Sequence, residues 1–262
     1  MVLKHRVALD GIELDSIDNR IIITKVEEPD GKEQFSAVSL WGSSGSRVTE
    51  LHRDHLDVTV KFVIRIRKRD MAGREEVLEK VNAWACAGGW LTLNYRGNRR
   101  IRVFMLQAAG MGDAWDWTRE FAVTFRACGV PYWQETFGPV VEKRNASSGS
   151  LVFGVNGSAE GVVNVTFKNT SGSTINTFSI STPESSLAFT GLGLANGETL
   201  EISHPDNGLR SLLAVRIGNR SALACRTPAS SNDLTVKPGT KTITYNAGGA
   251  GNINVSCCGR FA

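Results

Sequence analysis

The sequence predicts two domains of different fold class. Residues 1–145 are expected to form an α+β domain, an antiparallel sheet or barrel with one helix, and residues 146–262 an all-β sandwich. The first 145 residues hold 22 Lys and Arg and 20 Asp and Glu, whereas the remaining 117 hold 8 and 6. All six tryptophans lie before this change in charge density, and helical periodicity is found only before it.

The first domain is predicted to combine several strands with a single helix. Apolar and polar residues alternate over residues 58–66, which indicates a half-buried strand. After Asp70, a helix-start residue, apolar side chains at helical spacing predict a helix over residues 74–87, and Gly88 and Gly89 end it. Further strands are expected at residues 21–26, 91–95, 100–106 and 120–128.

The second domain is predicted from short strands separated by polar turns. About eight strands at this spacing are typical of a sandwich. They are expected at residues 162–168, 177–180, 187–190, 199–203, 212–217, 234–236, 242–245 and 252–256. Residues 143–150 form a polar segment suited to a linker between the two domains.

Composition and charge exclude several classes of protein. The chain has 41% hydrophobic and 21% charged residues, as soluble globular proteins do. No apolar run approaches the roughly 20 residues of a membrane span, and no apolar segment follows the basic N-terminus as in a secretory signal. The net charge of +4 is too small to indicate nucleic-acid binding, and the basic residues 65–69 are interpreted as a solvated strand end.

The cysteines do not form a recognisable framework. Their number is odd and no pair has C-x-x-C spacing, so we expect no disulfide framework and no zinc site, but reduced thiols from a reducing cytosol. The five are Cys86, Cys128, Cys225, Cys257 and Cys258. Cys257 and Cys258 are expected on opposite faces of a strand, and the sequence offers no role for this pair.

No residue pattern predicts a catalytic, cofactor or metal site, and the chain is interpreted as non-enzymatic. His52 and His55 are three residues apart, but no further ligand supports them. Cys86 follows Trp84 on the helix and is expected in the core. Residues 191–194 lack the third glycine and the helix of a dinucleotide site. A pair of catalytic carboxylates stays open, since Asp and Glu are plentiful.

The segment 116–134 is the most distinctive part of the sequence. Residues 120–128 indicate an edge strand, and Pro131 ends regular pairing. Tyr132 and Trp133 would then either pack back on the core or meet a neighbouring subunit.

At this segment the sequence resembles the distal tail protein family of long-tailed phages. The order and spacing of five stretches carry the resemblance more than any one of them does. They are residues 9–14, the strand at 57–66 with the helix reaching Trp84, residues 93–100, residues 121–133, and residues 237–245 in the second domain.

The resemblance implies that the first domain assembles as a hexameric ring and that the second, galectin-like, lies outside it. The ring would join the tail tube to the baseplate hub and host-recognition proteins of a virion tail assembled in the host bacterial cytoplasm. DNA would pass through it without specific binding, and no catalysis, cofactor or membrane contact is implied. Independently of the family, antiparallel edge strands readily supply the heterologous contacts that a closed ring needs.

Two other hypotheses stay open. One is a tail-tube or baseplate subunit of another type. The other is a carbohydrate-binding adhesion module that recognises a host surface glycan through the second domain. That domain has no Trp, and most of its aromatic residues fall in predicted strands, where the core explains them.

Overall fold

The computed structural model describes residues 5–28, 33–39, 46–53, 56–67, 70–110, 120–128, 131–204 and 213–261. Over these residues the chain is mostly antiparallel β-sheet with two α-helices, so the predicted β-rich character is confirmed. It divides into two compact units, Met1–Trp133 and Gln134–Ala262. Neither described helix is long and apolar enough to cross a membrane.

The predicted linker is wrong. Residues 143–150 lie inside the strand Val140–Val155, which pairs with the strand Gly239–Cys257. Small polar residues suit a flexible linker as well as a strand, and here the distant partner strand supplies the hydrogen bonds. The chain passes from one compact unit to the other after Trp133. The domain boundary at residue 145 stays a prediction.

The first unit is built on one sheet of mixed strand lengths. Its strands are β1 (Val7–Leu9), β2 (Ile12–Glu13), β3 (Ile21–Glu27), β4 (Glu33–Ser39), β5 (Ser46–Arg53), β6 (Asp57–Ile64), β7 (Gly89–Leu93), β8 (Arg99–Gln107) and β9 (Phe121–Ala127), and its helices are α1 (Leu14–Ile17) and α2 (Met71–Cys86). The sheet has the antiparallel order β2-β1-β7-β8-β9-β6-β3, and β4 and β5 pair as a separate hairpin. That hairpin was not predicted.

Helix α2 covers the buried face of this sheet. It begins at Met71, earlier than predicted, because the side chain of Asp70 accepts a hydrogen bond from the Gly73 N–H at 2.9 Å. The indole of Trp84 donates to the Ile12 carbonyl at 3.1 Å and meets the Phe125 ring edge-on at 5.7 Å. The predicted inward face of β9 is confirmed, since Phe121, Val123, Phe125 and Ala127 are all buried.

The second unit consists of strands in the part that is described. They are β10 (Trp133–Glu135), which spans the division, β11 (Val140–Val155), β12 (Gly161–Asn169), β13 (Ile175–Ser181), β14 (Ser186–Leu194), β15 (Thr199–Ser203), β16 (Ala214–Ile217), β17 (Arg220–Ser221), β18 (Thr235–Val236), β19 (Gly239–Cys257) and β20 (Arg260–Phe261). The main order is β14-β13-β19-β12-β15-β16-β17, with β11 on β19 and β18 on β12.

Strand β19 connects two groups of strands and bends between them. Residues 244–247 pair with β13, residues 251–257 pair with β12, and β11 follows the other edge. The two groups enclose one apolar core, in which the rings of Phe167 and Phe178 lie 5.1 Å apart. Gly251, just after the bend, permits this packing, because a Cβ there would lie 2.3 Å from Phe167 Cζ.

A buried histidine follows β15 in the second unit. The His204 side chain has no exposed surface, and its Nε2 accepts the Leu234 N–H at 3.4 Å, which requires the unprotonated nitrogen. Burial lowers the pKa of His204 from 6.5 to about 4, and Arg260 adds to this. The Asp233 carboxylate, 3.9 Å from Nε2, and a hydrogen bond with the Val163 backbone oppose the shift. The fold therefore holds this imidazole neutral.

Replacing Gly251 with alanine should destabilise the second unit by about 1–3 kcal/mol, because the methyl group must displace Phe167 or the Lys168 carbonyl. Gly154→Ala is the matched control, since an added Cβ there meets nothing within 4 Å. We expect it to change the free energy of unfolding by less than about 0.5 kcal/mol. Urea unfolding followed by far-UV circular dichroism measures both. Equal effects of the two variants would contradict the role given to the bend.

The stability of the second unit should fall with decreasing pH between about 6.5 and 4. In that window the unfolded chain protonates His204 and the folded chain does not, so the free energy of unfolding drops by up to about 3 kcal/mol. In His204→Gln this part of the pH dependence should disappear, whereas His5→Gln in the first unit should retain it. Chemical unfolding at a series of pH values checks this, and identical slopes for His204→Gln and the parent chain would refute it.

Candidate functional site

The residues considered for chemistry do not come together. His52 lies in β5, and His55 lies outside the described residues. Within the described ranges, no group of three or more His, Cys, Asp or Glu could hold a metal ion. Residues 191–194 belong to β14 and form a strand rather than a nucleotide-binding turn. Cys86 is exposed, so its predicted core position is wrong; two residues after Trp84, it lies about 200° further round the helix.

The five cysteines are free thiols. Cys257 is buried at the end of β19 and Cys258 is half-buried, as expected for neighbours on opposite faces. Burial raises the pKa of the Cys257 thiol to about 12, so it is protonated at neutral pH and a poor nucleophile. Nothing in the structure explains why two cysteines are adjacent here.

Trp133 packs within the first unit. Its side chain is only 1% exposed, and the Arg96 guanidinium lies over the ring at 5.2 Å. Arg96 is held in turn by Glu28, whose Oε2 accepts from Nη2 at 2.9 Å and from Nε at 3.2 Å. Of the two alternatives left open by the sequence, packing on the core is the one observed for Trp133.

The strand edges of the two large sheets are candidates for contacts in an assembly. An unpaired edge offers a row of N–H and C=O groups to another chain. Edge strand β14 is already covered, because Ser231 N donates to the Ser186 carbonyl at 2.8 Å and Thr227 N to the Ala188 carbonyl at 2.9 Å. Edge strands β2 and β17 have two residues each. These three edges leave little backbone to pair.

Strand β3 is an open edge of the first sheet. It pairs with β6 on one side, and no described strand pairs with its other side. Thr24 lies at a register shift, and its hydroxyl hydrogen-bonds the Glu120 carboxylate. Lys25 and Lys61 each contact Glu27 Oε1 at 2.8 Å and hold the pKa of Glu27 down at about 2. The bulge and the charges restrict which strand can be added here.

Strand β11 is a long open edge in the second unit. Its 16 residues pair with β19 on one side alone, as far as the described chain extends. Register shifts interrupt the pairing between Lys143 and Ser148, whereas residues 148–155 pair without interruption. Sequence reasoning missed this edge because it assigned half of the strand to a linker. The alternation of Leu151, Phe153 and Val155 is the signal that could have revealed it.

The structure is similar over nearly its whole length to a solved phage protein. The crystal structure of the Dit (gp 19.1) protein of phage SPP1, described as a paradigm of the hub adsorption apparatus in phages that infect Gram-positive bacteria, matches with a TM-score of 0.70 and 12% identity, covering 98% of this chain and 99% of that one. A chain in a structure of the phage P2 baseplate, in its activated conformation with Ca, matches with a TM-score of 0.53 and 7% identity, covering 98% of each chain.

No protein-family model and no curated protein sequence matches this chain. Identities of 12% and 7% establish a likeness of fold. The sequence resemblance to the distal tail protein family is thus confirmed at the level of the fold. Across 98% of its residues, the chain has the fold of the Dit protein of phage SPP1.

Proposed function

We propose that this protein is a structural component of a bacteriophage tail tip, a distal tail protein that forms a hexameric ring. The ring joins the tail tube to the baseplate hub and the host-recognition proteins. The observation that carries the proposal is the fold shared with the SPP1 Dit protein from one end of the chain to the other. A likeness confined to one unit would fit many unrelated β-sheet proteins, whereas two successive matching units are much more specific.

In this proposal the two domains have different roles. Residues 1–145 form the ring, and residues 146–262, a galectin-like sandwich, lie outside it. The role is one of binding and position, so it requires neither catalysis nor a cofactor. The protein resides in the virion tail after assembly in the bacterial cytoplasm. DNA passes through the ring without specific contacts, which the near balance of 22 basic and 20 acidic residues in the first 145 permits.

We propose further that the open edge of β3 takes part in the ring contact. A closed ring needs heterologous contacts, in which one surface of a subunit meets a different surface of the next. The free side of β3 offers N–H and C=O groups that no described strand uses. Pairing these groups with the next subunit would add backbone hydrogen bonds. The ion pairs of Glu27 join side chains, so they do not occupy the backbone groups of this edge.

The purified protein should behave as a particle of about six chains of 28.4 kDa each, with a central hole. Size-exclusion chromatography with light scattering gives the mass, and negative-stain electron microscopy shows the ring. A monomer that persists at high concentration, with no ring in the images, would refute the proposal. Stacked tubes in place of separate rings would point instead to a tail-tube subunit.

Thr24→Pro should weaken ring assembly, because it removes the N–H of the residue at the bulge and places a proline ring beside the open edge, at a position where proline is tolerated. Thr24→Ala is the matched control: it loses the same hydroxyl contact to Glu120 but keeps the N–H, so it should assemble normally. Both variants should retain the circular dichroism of the parent chain. Light scattering over a dilution series compares them, and equal masses at every concentration would exclude β3 from the ring contact.

A further inference from the structure

The edge of β11 from Ser148 to Val155, called here the β11 edge, is a regular and unoccupied strand border. Ser148 pairs with Asn246 and Val155 with Gly239, with every residue between them in register. No strand and no hydrogen bond meets the other side of these eight residues anywhere in the described chain. The border is therefore about 25 Å long, at roughly 3.3 Å per residue.

The β11 edge has little of the usual protection against pairing. It contains no charged residue and no proline, and its pairing has no register shift. Among the other borders of the two large sheets, β14 is covered by a loop, β2 and β17 have two residues each, and β3 carries charges and a bulge that restrict which strand can be added. Glu142, Lys143 and Arg144 precede the border in sequence, and of these the Lys143 ammonium reaches Gly149, where an added Cβ would lie 2.2 Å from Nζ.

The side chains of the β11 edge suit an added strand. Leu151, Phe153 and Val155 are 4–5% exposed and anchor the strand in the core, so the backbone is held in an extended form. On the opposite face Val152 is 58% exposed, with Ser150 and Gly154 exposed on either side of it. An incoming strand would meet a small, uncharged and partly apolar surface there.

We propose that the β11 edge binds an extended, uncharged peptide segment of another protein, added as a further strand of the second unit. Main-chain hydrogen bonds supply the affinity, and alternating apolar and hydroxyl side chains on the segment fit the faces described above. This binding site is independent of the proposed ring contact, which lies in the first unit.

A second copy of this chain is a poorer occupant. A border about 25 Å long is only one strand spacing, about 4.8 Å, wide. Its area is far smaller than the roughly 800 Å² that each partner buries in a stable protein interface. Two copies of the chain that touch only along this border would associate weakly. A flexible segment tethered to a larger partner reaches the same border at high effective concentration.

The probe is a fluorescent peptide with the sequence of residues 242–247, TITYNA, which is uncharged and contains the residues that pair with residues 148–152 of β11. Fluorescence anisotropy with the full-length protein should give saturable binding. Val152→Lys should weaken it at least tenfold, because it places a charge on the border. Leu223→Lys, at a side chain that is 41% exposed and away from β11, is the matched control and should bind as the parent chain does.

Two peptides N-methylated at alternate residues identify the mode of binding. An added strand uses only one of its own edges, so one methylated peptide should bind and the other should not. Equal binding by both, no saturable binding of the parent peptide, or an unchanged affinity in Val152→Lys would overturn the proposal. So would a dimer of the protein itself that Val152→Lys abolishes. Ring assembly in Val152→Lys should be normal, so failure here is distinguishable from failure of the ring.

Discussion

A strand at the border of a sheet leaves half of its N–H and C=O groups without a partner in the sheet. The need to satisfy or protect these groups organises both units. Water satisfies such groups at the surface, but a row of them also attracts any free strand. The chain limits pairing at several borders by short strands or a covering loop, and at β3 charges beside a bulge restrict which strand can be added. Interaction with other molecules is then left to the few borders that stay accessible.

The second unit depends on one long pair of strands. β11 and β19 run side by side along most of their lengths, and β19 carries β13 and β12 one after the other along its other edge. The bend near Gly251 brings these two groups together over a single core. A side chain at this glycine would separate Phe167 from its neighbours, so the packing of many strands depends on the absence of one methyl group.

The local pattern of apolar and polar residues was sufficient to predict elements whose partners are near in sequence or whose two faces alternate clearly. Helix α2 and strands β6 and β9 follow from the spacing of their apolar residues, and the largest difference is the start of α2, because of the Asp70 cap. The first half of β11 could not be predicted in this way. Most of its residues are polar, and the hydrogen bonds that make it a strand come from residues about a hundred positions later.

The available surfaces were harder to predict than the elements. Which edge stays open depends on topology and on loops such as residues 225–231, neither of which is visible in local periodicity. Trp133 illustrates the same limit: its position after Pro131 suited an exposed contact, but Arg96 and Glu28, distant in sequence, hold it inside the first unit. The exposed position of Cys86 follows from helix geometry and could have been derived.

The pairing of β11 with β19 also has a consequence for biosynthesis. Val140 pairs with Ser256, and Val155 with Gly239, so the ribosome must add about a hundred residues before β11 meets its partner. The first unit ends at Trp133, so it can fold while the second is still being translated. During that interval the uncharged stretch from Ser148 to Val155 has both sides exposed, which makes the nascent chain a natural client for a chaperone.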